Sequence, residues 1–240
     1  MRDLRSFLAL SFALSWGVGG AYLVARAAAP GLAPLGPANP IFLLMNCAPS
    51  LAASALAARQ PGGAFQLLAR LWRPFAPAWL AVAVLLLPMV CALAGSLGPV
   101  PLSLLPLLFA DIAPWGEEFG WRGYLLPRLL ERMPVLDASL MVGAVWTVWH
   151  IPAFFLSGVM SAGAGDFFWW ALGSLALSLV MGVLALRAQA NLVVAGIIPH
   201  LAINAAARAG WWHSSPREVL LLAGFALGLW GFCARRKASG

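Results

Sequence analysis

Phe167-Phe-Trp-Trp-Ala-Leu-Gly-Ser-Leu-Ala-Leu-Ser-Leu-Val-Met-Gly-Val-Leu-Ala-Leu186 runs for twenty residues without a charge, bounded by Asp166 and Arg187. A helix of about 20 mostly apolar residues matches the thickness of a bilayer's hydrocarbon core. Outward from it, further uncharged stretches cover 6–25, 27–58, 74–110, 138–165, 188–207 and 219–234. They predict eight helices: 5–26, 40–59, 78–97, 100–130, 138–157, 167–187, 190–208 and 217–234. The fourth contains Pro101, Pro106 and Pro114, any of which splits or kinks a helix. Over 240 residues the chain is 62% hydrophobic and 10% charged, with mean hydropathy +0.87. A soluble domain carries about 25% charged residues, so these few charges cannot cover a water-facing surface. The expected fold is all-α, a polytopic transmembrane helical bundle of about eight helices in one membrane-embedded domain, 1–240. The lipid bilayer is its first partner.

The charges that remain give the topology. The formal charge is +7, and fourteen of the fifteen basic residues are Arg. With the N-terminus inside, Arg2, Arg5, Arg59, Arg70, Arg73, Arg128, Arg132, Arg187, Arg235, Arg236 and Lys237 face the cytoplasm. Only Arg26, Arg208 and Arg217 face out. This asymmetry follows the positive-inside rule and puts both termini in the cytoplasm of a multi-pass cell-membrane protein. The basic balance therefore serves topology, and no nucleic-acid module accompanies it. Arg2 and Arg5 before an apolar run resemble a signal peptide, but the run is long and lacks a clear cleavage site, so a retained first helix is expected. Pro30–Pro40 and Pro61–Pro77 read as connecting loops. Cys47, Cys91 and Cys233 lie in apolar stretches without metal-ligand or disulfide spacing and are expected to be packed thiols.

Against this background a few polar groups stand out, because ionisable side chains at membrane depth are costly and mark function. Glu117 and Glu118 precede Arg122 in Ile112-Ala-Pro-Trp-Gly-Glu-Glu-Phe-Gly-Trp-Arg-Gly-Tyr-Leu-Leu126. Glu118 and Arg122, four apart, share a helix face with Glu in the favoured N-terminal position. Glu117 is rotated by about 100° and points elsewhere. Arg122 is expected to neutralise Glu118 while Glu117 is free to take a proton; an interfacial ion cluster is the bland alternative. His150, in Val145-Trp-Thr-Val-Trp-His-Ile-Pro152, lies near the middle of the fifth predicted helix, with Trp146 on its face. Trp146 either packs simply or holds the imidazole in place. His200 and Asn204 share a face of the seventh helix and converge on one water or substrate atom, unless they only bond between helices. These groups come from three helices in a chain that otherwise keeps its spans free of charge. Bundle sites are built from inward-facing side chains in this manner. Asp111 and His213 rank lower, the first as a residue near the outer surface, the second in an aromatic belt with Trp211 and Trp212. Gly224 and Gly228 form a weak GxxxG. There is no HExxH, GxSxG or P-loop.

Three of these strings together resemble the CAAX protease and bacteriocin-processing (CPBP) intramembrane proteases, which include type II CAAX prenyl proteases. Glu117-Glu118-Phe-Gly-Trp-Arg122 matches EExxxR, Trp146-Thr-Val-Trp-His150 matches an aromatic-xxx-His motif, and His200-Leu-Ala-Ile-Asn204 matches HxxxN. They keep the family's order, and Trp146 stands where phenylalanine is usual. The resemblance implies an intramembrane endopeptidase whose catalytic core is helices 100–208, acting on a peptide or membrane-protein segment near the membrane surface. It implies Glu117 as general base, aided by His150 in holding the water; His200 and Asn204 as stabilising the oxyanion; and Glu118 and Arg122 as a supporting ion pair. The mechanism it implies is metallo- or glutamate-type. Glu117, His150 and His200 are the ligands if Zn²⁺ takes part, and no cofactor is needed otherwise. From the residues alone two other readings stay open: an ion- or proton-coupled transporter using the same charges, and a non-catalytic membrane immunity protein. No inverted repeat of the kind that builds many transporters is visible.

Overall fold

The computed structural model describes residues 2–36, 39–102, 110–155 and 164–238. Residues 103–109 of the expected fourth helix, with Pro106, lie outside them, as do 156–157 at the end of the fifth and 37–38 in the first loop. The described residues form helices and turns and no strand. Six helices are long and apolar enough to cross a membrane: α1 (Asp3–Ala28), α2 (Pro40–Ala57), α4 (Pro77–Ala94), α7 (Val135–His150, with the 3₁₀ turn Ile151–Phe155), α8 (Ala164–Arg187) and α10 (Pro216–Ala238). A short α3 (Gly63–Ala69) occupies part of the expected Pro61–Pro77 loop. The other two expected spans are shorter and broken. One runs α5 (Ala113–Gly120), π-turn Trp121–Leu125, α6 (Leu126–Leu130); the other is a π-turn Val193–Ile197 leading into α9 (Ile198–Arg208). The protein is a helical membrane bundle whose two least regular segments carry most of its buried charge.

Local chemistry explains these boundaries. Asn39 accepts a hydrogen bond from the Ile41 amide at 2.9 Å and Pro40 fills the first helical position, so α2 begins with its free donors partly satisfied. α4 ends at Gly95, whose φ of 76° lies in the left-handed region; the Ser96 amide then returns to the Cys91 carbonyl at 2.9 Å. The fourth predicted helix is not continuous: Asp111 and Ile112 are non-helical, and α5 starts only at Ala113, with Pro114 in its first turn. Proline suits the first turn, where its missing N–H has no helical partner to lose. In the fifth helix α-helical bonding gives way after His150 to the 3₁₀ turn Ile151–Phe155, where Pro152 removes a donor and crowds the preceding turn. His150 is therefore the last residue of α7 and not a mid-helix residue.

α8 is the most enclosed of the six span-length helices and packs between α7 and α10. Gly143 of α7 meets Ser178 and Leu175, and Gly182 of α8 sits against Ser139. Outward faces carry exposed Val24, Leu85, Leu93, Leu227 and Phe232, as a lipid-facing surface requires. Gly224 and Gly228 have open space where a Cβ would stand, so the suspected GxxxG makes no close contact. The close pair is Gly116 and Gly120. A Cβ on Gly116 would lie 2.8 Å from the Asn46 carbonyl oxygen, and one on Gly120 would lie 2.6 Å from that of Pro49. Through these two positions α5 presses on α2, and the glutamates between them are turned inward. Gly120→Leu is therefore expected to lower stability by about 1–3 kcal/mol through overpacking. Thermal unfolding in detergent checks it; an unchanged midpoint would contradict the contact.

Candidate active site

Glu117 and Glu118 are 1% and 0% exposed. Burying a carboxylate is expensive unless it finds donors, and each finds different ones. Arg122 Nη1 donates to Glu118 Oε1 at 2.9 Å and lies 3.1 Å from Oε2. His200 Nδ1 approaches the same Oε1 at 2.8 Å from α9. The π-turn Val193–Ile197 closes over this carboxylate at Gly196, where a Cβ would stand 3.1 Å from both Cβ and Oε2 of Glu118. The expected Glu118–Arg122 pair is thus present, and His200 joins it.

Glu117 points the other way and accepts from Trp146 Nε1 at 2.6 Å. The Trp146 ring also touches its neighbours: Arg122 Cζ lies 4.8 Å from the ring centroid, and the His150 and His200 rings meet it edge-on at 5.4 and 5.2 Å. His150 Nδ1 lies 2.9 Å from the Trp146 carbonyl oxygen. A carbonyl only accepts, so Nδ1 carries the proton and Nε2 is left as an acceptor. Trp149 and Trp170 enclose the same imidazole, with centroids at 4.8 and 5.1 Å.

Asn204 does not turn its amide only toward His200's side of the cavity. Its Nδ2 donates to Asp111 Oδ2 at 2.9 Å, and Arg208 Nη1 donates to the same oxygen at 2.7 Å. Asp111 Oδ1 in turn accepts from the Ala113 amide at 3.2 Å, which ties the start of α5 to α9. Sequence reasoning ranked Asp111 low and counted Arg208 only for topology. The available signal was the stripe His200, Asn204, Arg208, each four residues from the next.

Two cavities meet at this cluster. One, about 500 Å³, is walled by Ser15, Met45, Asn46, Asp111, Glu117 and Trp149 together with His150, His200, Asn204 and Arg208. The other, about 540 Å³, shares those last four residues and adds Trp146, Phe154, Trp170, Leu177 and Trp212. Glu117 lines the first cavity and not the second, so the first is where its chemistry would occur. His213, expected in an aromatic belt, lines the second.

Residues 78–206 match the sequence profile of the "Type II CAAX prenyl endopeptidase Rce1-like" family. That is more than half of the chain. The chain belongs to this family. All three motifs, at 117–122, 146–150 and 200–204, fall within the matched family region. "CAAX prenyl protease 2" of Methanococcus maripaludis is 32% identical over 110 residues, 44% of this chain and 39% of that protein. The chain therefore spans well under half the length of that relative.

Zn²⁺ would require three of the family-implied ligands to converge with an open fourth position. Here Trp146 takes only Oε2 of Glu117, and His200 and His150 turn Nδ1 to Glu118 and a backbone carbonyl, the usual outer partners of a metal-ligating imidazole, so both Nε2 atoms and Oε1 of Glu117 are the atoms that would hold the ion. Among the described residues no three His, Cys, Asp or Glu side chains come together so as to hold a metal ion.

Asp111→Ala is expected to cost about tenfold in kcat for any reaction that uses Asn204, because the amide loses its orienting acceptor. Comparing kcat for Asp111→Ala and Asp111→Asn checks it; the asparagine keeps one acceptor and is expected to lose less.

Proposed function

We propose that this protein is an intramembrane endopeptidase that hydrolyses a peptide bond of a peptide or membrane-protein segment near the membrane surface. The observation that carries the reading is the cavity of about 500 Å³ that Glu117, His150, His200 and Asn204 line together. Membership of the Rce1-like family and the relative's name support it.

In this reading Glu117 takes the proton of a water in the cavity, and the free Nε2 of His150 accepts a hydrogen bond from the same water. The hydroxide attacks the scissile carbonyl. His200, held by Glu118 at Nδ1, donates Nε2–H when doubly protonated, and Asn204 offers its remaining amide N–H to the developing oxyanion. Glu117 then passes its proton to the departing amine. Arg122 keeps Glu118 paired and touches no reacting atom. The cytoplasmic placement of both termini is proposed on the distribution of basic residues.

The test is cleavage of membrane-inserted peptides by purified protein in lipid vesicles, with products read by mass spectrometry. Wild type is expected to cut and Glu117→Ala to give no product; equal cleavage by both would refute the reading. Proton-coupled flux that persists in Glu117→Ala without any cleavage would favour a transporter.

A further inference from the structure

We propose that Trp146 is the positioning residue of this site, its indole N–H fixing the carboxylate of Glu117; the inference rests on the hydrolytic reading. Three observations carry it. The Nε1–Oε2 distance is 2.6 Å, a hydrogen bond from an indole donor to a carboxylate oxygen. Trp146 is buried, 4% exposed, which holds the indole in one place. The same residue reaches three further groups of the cluster: its carbonyl accepts a hydrogen bond from His150 Nδ1, its ring meets His150 and His200, and the Arg122 guanidinium lies over its face. One rigid side chain thus sets the relative placement of one acid, two imidazoles and one guanidinium.

The motif resemblance asks only for an aromatic ring at this position, and phenylalanine would supply every contact except the N–H. The hydrogen bond is accordingly a feature of this chain. It occupies Oε2 and leaves Oε1 of Glu117 to receive the water proton. Without it the carboxylate keeps its burial but loses its one directional restraint among the described residues.

Trp146→Phe separates the N–H from the ring. The expected result is a fall in kcat of about tenfold or more with KM within about twofold, since a misplaced base slows the chemical step and leaves peptide binding alone. Thermal unfolding guards against a folding defect: the midpoint is expected to stay close to wild type. Trp149→Phe provides the comparison, because the Trp149 indole N–H has no hydrogen-bond partner among the described residues while its ring packs on the same His150. Its loss in kcat is expected to be clearly smaller. A second measurement is independent of turnover. In protein labelled with ¹⁵N at its twelve indoles, the cross-peak that vanishes in Trp146→Phe is expected to move in Glu117→Ala. Wild-type kcat in Trp146→Phe, a change confined to KM, or a Trp146 cross-peak indifferent to Glu117→Ala overturns the assignment. If wild type itself cuts no peptide, the hydrolytic reading fails with it, whereas the cross-peak still reports whether the bond exists.

Discussion

Glu117→Gln is expected to lower kcat about a thousandfold while the protein folds and binds peptide as before. Glutamine has nearly the same shape, and its carbonyl oxygen still accepts from Trp146 Nε1, which now holds Oε2 at 2.6 Å. An amide cannot take the proton of a water, and a positioned general base is worth about 10²- to 10⁴-fold. Among the described residues Glu117 forms no direct ion pair, and the buried His200 and Arg122 nearby keep Glu118 as their partner, so the thermal midpoint is expected to shift little from that of wild type. Single-turnover cleavage with saturating peptide isolates the chemical step, and a peptide-binding measurement completes it. A loss of less than about tenfold would move the base elsewhere in the cavity.

Glu118→Ala is expected to behave in the opposite way, failing first in stability. The Arg122 guanidinium is 3% exposed, and its Nε and Nη2 have no hydrogen-bond partner among the described residues. Glu118 is the carboxylate that compensates it, in an ion pair of 2.9 Å. Breaking a buried pair by deleting one partner costs about 3–5 kcal/mol, because the surviving charge stays buried. His200 loses its acceptor at Nδ1 in the same step, so activity falls too. Replacing both partners, Glu118→Leu with Arg122→Leu, is expected to restore much of the thermal midpoint and none of the activity. If Glu118→Ala unfolds at the wild-type temperature, the ion pair is not what stabilises α5 and the π-turn that follows it. Two adjacent residues of the same type thus give contrasting phenotypes, one chemical and one structural.

The contrast between Glu117 and Glu118 was half legible in the chain itself. The spacing of Glu118 and Arg122 is a local property of a helix, and their pairing follows wherever the helix goes. That His200 adds to this pair from 82 positions away has no local signal. Asp111 shows the limit most plainly. It read as a residue near the outer surface, yet it is buried and binds Asn204 and Arg208 across 93 and 97 positions. The helix start at Ala113 allows this: Asp111 precedes the first turn of α5, and its carboxylate reaches α9. His150 was placed mid-helix because hydropathy does not register where a helix stops. Pro152 stops it two residues later.

Taken alone, the amino-acid order determined that this is a helical membrane protein and which few polar side chains it carries at depth. Both follow from periodicities and transfer energies that act over one or two helical turns. Only the packed bundle decided which carboxylate meets which partner. Gly116 and Gly120 let α5 approach α2 to backbone contact, and Gly196 lets the opposing π-turn close on Glu118. Contacts of that kind depend on missing side chains at facing surfaces, and a one-dimensional pattern does not say which surfaces will face each other.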